Sequence, residues 1–193
     1  MKNIVYFHGL SSSGNSGTGK CLKELFLEAN VIKPDIPVNP REALPFLHNL
    51  LNLLDPEETL VVGTSMGGMY AQQMKGYKRI LVNPAFHVSN TLSKNLGTRL
   101  PFFSKREDGE TDFEVTEKLV EDFLEMERHQ FDETIDKENV IALFGVNDTT
   151  VNCKDEYLKH YSEFKDFKGE HRLSEENINE VVAPLIKKML LDN

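Results

Sequence analysis

The sequence has no tryptophan, only two cysteines and no long apolar run. No stretch approaches the eighteen or so apolar residues that a membrane span needs, so a membrane span is not expected. The apolar start is interrupted at His8 and Gly9 and is too short for a signal peptide. Cys21 and Cys153 fit neither a disulfide framework nor a metal-ligand spacing. These absences predict a cytoplasmic protein with free thiols.

Basic residues are in the minority, with 22 Lys and Arg against 31 Asp and Glu and a net charge of −9. No nucleic-acid partner is expected, because nucleic-acid-binding surfaces are basic. The hydrophobic content of 39% is ordinary for a globular protein. A chain of 193 residues can bury a substantial core. We expect a single domain over residues 1–193, in a monomer or a weak homo-oligomer.

Short β-branched runs alternate with longer helical patterns, which predicts an α/β fold with a mostly parallel central sheet. The predicted strands are residues 3–7, 31–33, 59–62, 79–82, 140–144 and 164–167. The predicted helices are residues 19–29, 41–54, 67–75, 154–161 and 174–191. Pro184 lies inside the last helix and is expected to kink it.

Residues 84–139 interrupt this alternation. They contain no evident strand but many apolar and aromatic residues, and residues 114–129 form an amphipathic, acidic helical pattern. We expect a helical insertion after the strand that ends near Asn83. An insertion at the carboxyl edge of a sheet is a common place for a cap over an active site. The same helices could instead pad one side of the sheet.

The segment Gly63-Thr64-Ser65-Met66-Gly67 stands between a predicted strand and a predicted helix. Gly-x-Ser-x-Gly in this context is the sequence form of a nucleophile elbow. The chain must turn so sharply there that a side chain at either flanking position would collide with the backbone, and glycine avoids this. The serine oxygen then stands at the tip of the sheet. We therefore predict that Ser65 is a nucleophile that forms a covalent intermediate.

A serine nucleophile needs a base that takes its proton and an acid that orients the base. In the fold that contains a nucleophile elbow, the acid follows the serine along the chain and the histidine follows the acid. His171 lies after the last strand and just before the final helix, and it is the predicted base. His160 falls within a helix and is expected to be exposed. Asp148 follows the strand at 140–144 and is the predicted acid, although aspartate also suits a plain turn. Asp155 and Glu156, at the start of the next helix, are the alternatives.

Backbone N–H groups must stabilise the negative charge that develops on the substrate oxygen. Met66, directly after the serine, is expected to supply one of them. Leu10 is expected to supply the other, since Gly9 permits a bend in the loop after the first strand. His8, at the end of that strand, is expected to be a buried structural histidine.

Residues 14–21 read Gly-Asn-Ser-Gly-Thr-Gly-Lys-Cys and nearly match a phosphate-binding loop. Cys21 replaces the Ser or Thr that would bind magnesium, and thiols are poor ligands for that ion. We therefore expect residues 14–21 to form a rim beside the loop that contains Leu10, and we favour this interpretation over nucleotide binding. Phe86, Phe102 and Phe103 could line an acyl pocket, or they could be ordinary core residues.

With these residues placed, the chain resembles the small α/β-hydrolase esterases of the YqiA/YcfP type, the UPF0227 group. The likeness includes residues 4–12 and 63–70, the run Val82-Asn83-Pro84-Ala85, and the segments around Asp148 and His171; it is weakest over residues 92–139. The resemblance implies a three-layer α/β-hydrolase fold and a triad of Ser65, Asp148 and His171. It also implies hydrolysis of a small-molecule carboxylic ester or acyl thioester, with no metal or organic cofactor.

A second hypothesis is a binding protein that has the fold without useful catalysis, because a fold does not fix a function. The presence of acid and base at the predicted loops counts against it, since binding alone requires neither.

Overall fold

A computed structural model describes residues 1–132 and 134–191 and contains a six-stranded sheet between two layers of helices. The strands are β1 (Asn3–Phe7), β2 (Asn30–Ile32), β3 (Thr59–Thr64), β4 (Lys78–Val82), β5 (Arg99–Pro101), β6 (Asp112–Glu114), β7 (Val140–Gly145) and β8 (Phe164–Phe167). The helices are α1 (Gly17–Leu25), α2 (Pro40–Leu51), α3 (Met66–Gln72), α4 (Val88–Ser93), α5 (Glu117–His129), α6 (Lys154–His160), α7 (Glu175–Asn177) and α8 (Ala183–Ile186). Two π-helical stretches, Ile178–Val182 and Lys187–Leu191, continue α7 and α8, and 3₁₀ turns occur at Pro56–Glu58 and Lys137–Asn139.

The main sheet has the strand order β2-β1-β3-β4-β7-β8, and every neighbouring pair in it is parallel. Parallel strands end at the same edge of a sheet, so the loops after β1, β3, β4, β7 and β8 all emerge together. This carboxyl edge is where ligands bind in open α/β sheets. The predicted site residues all lie in or beside these loops.

Alternating side chains of the strands separate the core into two layers. On β1, Val5 and Phe7 face the layer that contains α2, α3 and α5. Ile4 and Tyr6 face the opposite layer, formed by α1 and the last helical segment. All four side chains are at most 2% exposed. The central strands β1, β3, β4 and β7 are thus buried on both faces, as expected for a parallel sheet between helices, whereas the edge strands β2 and β8 are partly exposed. The predicted three-layer α/β architecture is confirmed.

The insertion between β4 and β7 is not purely helical. It contains α4 and α5, but β5 and β6 form a separate antiparallel pair within it. The expectation of no strand in residues 84–139 is therefore wrong. Each of these strands has only three residues, too few to show an alternating pattern, and Pro101 stands in β5. Their pairing depends on contact with each other, which local sequence does not reveal.

Helix ends account for most of the other differences. The helices expected at 19–29 and 41–54 end earlier, at Leu25 and Leu51. In the last helical segment the irregularity near Pro184 takes the form of π-helical stretches on both sides of α8. Proline has no N–H to donate, so regular hydrogen bonding is lost there. No helix in the described part of the chain is both long enough and apolar enough to cross a membrane.

Candidate active site

Ser65 occupies a sharp turn between β3 and α3. Its backbone angles, φ 55° and ψ −120°, lie in the left-handed half of the map that residues with side chains rarely adopt. The turn brings backbones very close together: a Cβ at Gly63 would lie 2.2 Å from the Gly67 carbonyl oxygen, and one at Gly67 would lie 2.0 Å from the Phe7 carbonyl oxygen. Only glycine fits at either position. The sequence pattern of a nucleophile elbow therefore corresponds to a real elbow in the structure.

The structure brings Ser65, His171 and Asp148 into one chain of hydrogen bonds. Oγ of Ser65 lies 3.0 Å from Nε2 of His171, and Nδ1 of His171 lies 2.7 Å from Oδ2 of Asp148. A carboxylate only accepts hydrogen bonds, so Nδ1 of His171 carries the proton. Nε2 then presents a lone pair to the Ser65 hydroxyl, which is the arrangement needed to remove a proton from it.

Backbone groups hold the Asp148 carboxylate in place. Its Oδ1 accepts hydrogen bonds from the N–H groups of Thr150, at 2.8 Å, and Val151, at 2.9 Å. Its side chain is only 4% exposed, against 19% for His171. Oδ1 is thereby fixed in the turn, and Oδ2 is left to accept from the imidazole. The turn role and the role as partner of His171, which the sequence left as alternatives for Asp148, are both present in the structure.

The alternative acids lie in other contacts. Asp155 is exposed in the first turn of α6. Glu156 is 2.6 Å from Nε2 of His87. His160 differs from its expectation: it is half-buried, and its ring stacks flat on Phe131 with the ring centres 3.9 Å apart. Burial also lowers the pKa of His160.

The predicted oxyanion donors belong to two segments next to Ser65, the start of α3 and the loop after β1. Met66 is the first residue of α3, so its N–H has no acceptor within the helix. The loop after β1 passes directly beside the serine, because a Cβ at Gly9 would lie 3.3 Å from Cβ of Ser65. Leu10 follows Gly9 in that loop. The oxyanion role of the Leu10 and Met66 amides remains a prediction.

His8 has the structural role expected from the sequence. It is 2% exposed, its Nε2 accepts a hydrogen bond from the Ile36 N–H at 2.9 Å, and its Nδ1 donates to the Gly9 carbonyl at 2.9 Å. Accepting at Nε2 requires the neutral ring. Burial lowers the pKa of His8 to about 4. The neutral imidazole thus ties the loop after β1 to the segment before α2.

The buried state of His8 predicts a loss of stability in acid. Below its ordinary pKa of about 6.5 the unfolded chain binds a proton at His8 that the folded chain does not bind until the pH approaches its pKa of about 4. The free energy of unfolding should therefore fall between about pH 6.5 and about pH 4, by roughly 3 kcal/mol from this group. Urea unfolding of the wild type and of His8→Gln over this range isolates the contribution. Parallel pH profiles for the two proteins would contradict it.

In the loop that resembles a phosphate-binding loop, several backbone N–H groups donate to protein groups. The Gly14 N–H donates to Oδ1 of Asp35 at 2.8 Å, and the Asn15 N–H donates to Oγ of Ser13 at 3.1 Å. The Gly19 N–H donates to Oγ of Ser16, which caps α1. A carboxylate thus accepts from the first N–H of this loop, and its negative charge would oppose a phosphate there. This arrangement favours the rim interpretation over nucleotide binding.

The three candidate pocket residues lie in different surroundings. Phe86 is fully buried and packs edge-on against Phe131, so it offers no surface to a ligand and drops out of the predicted pocket wall. Phe102 is half-buried beside Phe113. Phe103 is 67% exposed, and the Arg172 guanidinium lies 4.8 Å from the centre of its ring. Phe102 and Phe103 remain candidates for a wall of the site.

Phe103 connects the insertion to both sides of the site. Its N–H donates to the Ser11 carbonyl at 2.8 Å, in the loop that begins at Gly9. Its ring lies under Arg172, the residue after His171. The segment that follows continues along the loop after β1, where Oγ of Ser13 donates to the Lys105 carbonyl at 3.0 Å.

Sequence reasoning missed Asn83, which contacts the backbone of His171. Its side-chain amide donates to the carbonyls of Glu170, at 2.9 Å, and His171, at 3.1 Å. The sequence signals were an asparagine at a strand end, which also suits an ordinary turn, and its place in the run 82–85 that the family likeness includes; neither indicates contact with His171. Among residues 1–132 and 134–191, no group of three or more His, Cys, Asp or Glu side chains is arranged to hold a metal ion.

Comparison with known proteins identifies the family. The model of an uncharacterised protein family, UPF0227, matches residues 3–182. The chain belongs to UPF0227. The resemblance noted in the sequence is thereby confirmed at the level of the family, and the match extends across the elbow, the insertion and the His171 loop.

Solved structures of low sequence identity share the fold of this UPF0227 protein. Est1E from Butyrivibrio proteoclasticus matches with a TM-score of 0.68 at 14% identity, covering 98% of this chain and 88% of that one. Mouse alpha/beta hydrolase domain-containing protein 10 matches with a TM-score of 0.66 at 13% identity, covering 97% and 90%. S-formylglutathione hydrolase (FrmB) from Staphylococcus aureus matches with a TM-score of 0.63 at 12% identity, covering 98% and 84%. The fold is therefore that of the α/β-hydrolases.

Proposed function

We propose that this protein is a serine hydrolase that cleaves carboxylic esters or thioesters through an acyl-enzyme intermediate. The observation that carries the proposal is the chain of hydrogen bonds from Ser65 through His171 to Asp148, at 3.0 Å and 2.7 Å. These groups stand at the carboxyl edge of the sheet, with the serine at a sharp strand-to-helix turn. A hydroxyl, a base and an orienting carboxylate in this order are the parts that acyl transfer requires.

The proposed reaction has two steps. In the first, Oγ of Ser65 attacks the acyl carbon while Nε2 of His171 takes the hydroxyl proton. The same nitrogen then gives that proton to the departing alcohol or thiol, leaving an ester on Ser65. In the second step, His171 removes a proton from water, which attacks this ester; the imidazolium then returns the proton to Oγ of Ser65 as the bond to the acyl group breaks and the acid leaves. Asp148 stabilises the imidazolium in both steps, and the amides of Met66 and Leu10 donate to the transient oxyanion.

Esters and thioesters fit this site because an alcohol or a thiol departs more readily than an amine once His171 protonates it. The names of the structural relatives agree with this chemistry: one is an S-formylglutathione hydrolase, and Est1E has been determined with ferulic acid bound. Because the sequence identity of these proteins is low, the comparison extends only to the fold. The pocket of this protein must therefore determine which acyl group and leaving group it accepts.

We further propose that the insertion, residues 84–139, forms one wall of the substrate site within a single domain. Two contacts support this: the backbone of Phe103 bonds to the loop beside Ser65, and its ring meets Arg172. The far side of the insertion is anchored, because Asp122 of α5 accepts a hydrogen bond from the Asn39 side chain at 2.9 Å and pairs with Arg41 of α2. Phe103 would then contact the acyl group or the leaving group.

Covalent labelling tests the proposal. A fluorophosphonate probe reacts only with a serine that a neighbouring base activates, so it should modify the folded wild type at Ser65, identified by mass spectrometry of the labelled peptide. Ser65→Ala and heat-denatured protein should remain unlabelled. Folded wild type that resists the probe would favour the silent binding protein instead. A panel of p-nitrophenyl esters of increasing chain length, with acyl-CoA thioesters, then identifies the preferred acyl group.

A further inference from the structure

Asn83 is a buried asparagine at the end of β4 that the proposed chemistry does not use. It is 2% exposed, and its φ of 44° lies in the left-handed region. Its own N–H donates to the Leu143 carbonyl of β7 at 2.9 Å. A polar side chain in this position must find partners inside the protein, because water does not reach it.

The side chain of Asn83 finds three such partners, two in the loop after β8 and one at the end of β7. Nδ2 donates to the carbonyls of Glu170 and His171, and Oδ1 accepts from the Gly145 N–H at 2.7 Å. The orientation of the amide is unambiguous, since an N–H must face the oxygen and two carbonyls must face the NH₂ group. One side chain therefore fixes the main chain at His171 and the end of the strand that leads to Asp148.

Val82 and Ala85, close to Asn83 in the chain, form backbone hydrogen bonds with Ser65. The Ser65 N–H donates to the Val82 carbonyl at 3.0 Å, and the Ala85 N–H donates to the Ser65 carbonyl at 3.1 Å. The Asp148 N–H also donates to the Gly145 carbonyl at 3.0 Å. The segment 82–85 thus contacts the backbone of Ser65 directly, while the Asn83 side chain reaches the segments that carry His171 and Asp148.

We infer that Asn83 is a positioning residue, which sets the place of the His171 main chain relative to Ser65 and so keeps Nε2 within hydrogen-bonding distance of Oγ. It acts through His171 and does not touch the substrate. This inference rests on the proposed function, but the geometry it describes can be measured without any substrate. Misplacement of a reacting group by about 1 Å can cost around 100-fold in rate, so the side chain should affect turnover far more than substrate binding.

Asn83→Gly removes the side chain without adding strain, because glycine readily adopts a positive φ. Asn83→Asp keeps the size and removes the donors to the two carbonyls. The matched control is Asn3→Gly. Asn3 is also a buried asparagine with side-chain hydrogen bonds, to Thr59 and Asn30, but it starts β1 at the opposite edge of the sheet. The three variants therefore separate loss of buried hydrogen bonds in general from loss of those that hold His171.

We expect Asn83→Gly to lower kcat on p-nitrophenyl butyrate by about 10- to 100-fold, with KM changed less than about threefold. The kcat is expressed per active site titrated with the fluorophosphonate. Asn3→Gly should lower thermal stability with little change in kcat. A kcat loss in Asn83→Gly less than about five times that of Asn3→Gly would assign Asn83 a purely structural role. If Asn83→Gly does not fold, the kcat loss of Asn83→Asp is compared with that of Asn3→Gly by the same criterion.

An NMR measurement keeps this inference separate from the proposed function. The Cε1–H signal of His171, assigned by its loss in His171→Gln, should move or broaden in Asn83→Gly and keep its position in Asn3→Gly. If the wild type hydrolyses no ester and takes up no probe, the proposed hydrolase fails, and this signal alone decides the role of Asn83. An unmoved signal in Asn83→Gly would overturn the inference.

Discussion

Replacing Ser65 by alanine is expected to lower kcat/KM for ester hydrolysis by at least about 10⁴-fold. Without the hydroxyl, no acyl-enzyme can form, and only the oxyanion donors and substrate binding remain to accelerate attack by water. The loss is measured from the rate at which p-nitrophenolate is released from a p-nitrophenyl ester. The circular dichroism spectrum of the variant should match that of the wild type, because Oγ of Ser65 lies in a partly exposed site and alanine is smaller.

Ser162→Ala is the control for this substitution. Ser162 is exposed just before β8 begins at Phe164, at the amino edge of the sheet, opposite the elbow. The kcat/KM of this control variant for ester hydrolysis should equal that of the wild type. Full esterase activity in Ser65→Ala would remove Ser65 from the mechanism, and with it the proposed acyl-enzyme.

Asp148→Asn should be nearly as damaging, with a loss of about 10³- to 10⁴-fold in kcat. The two amides of Thr150 and Val151 require an oxygen at the Oδ1 position, so the new NH₂ group must face His171. Nδ1 of His171 then has to accept, and its proton moves to Nε2. In that tautomer the imidazole cannot take the proton of Ser65, although the fold and the side-chain volume are preserved.

Asp155→Asn controls for the loss of a nearby negative charge. Asp155 is exposed at the start of α6 and was an alternative acid in the sequence. We expect its kcat to stay within about twofold of the wild type, since a single exposed charge contributes little. Equal losses in the Asp148 and Asp155 variants would mean that general charge, and not the tautomer of His171, explains the effect.

The parts of the molecule that local sequence determines were predictable. The central strands of the main sheet are buried on both faces and read as largely apolar runs, and the elbow needs glycine at fixed positions around Ser65. The order of acid and histidine then limited the choice to a few residues. Asp148 was preferred over Asp155 from its place directly after β7. The structure adds the physical reason, because the turn formed by Thr150 and Val151 directs the Asp148 carboxylate to His171.

The features that sequence reasoning missed depend on distant partners. Asn83 contacts Gly145 and His171, which are 62 and 88 positions away, and nothing beside it in the chain indicates these contacts. The pairing of β5 with β6 and the stacking of His160 on Phe131 are likewise decided by tertiary packing. In each case the local composition fits several environments equally well.

The backbone angles of Ser65 have a thermodynamic consequence. A left-handed conformation of this kind costs on the order of 1–3 kcal/mol in a residue other than glycine. Glycine would relieve most of that cost, so a chain selected only to bind ligands would fold more stably with glycine at position 65. The serine is where this protein gives up folding free energy to retain one oxygen atom.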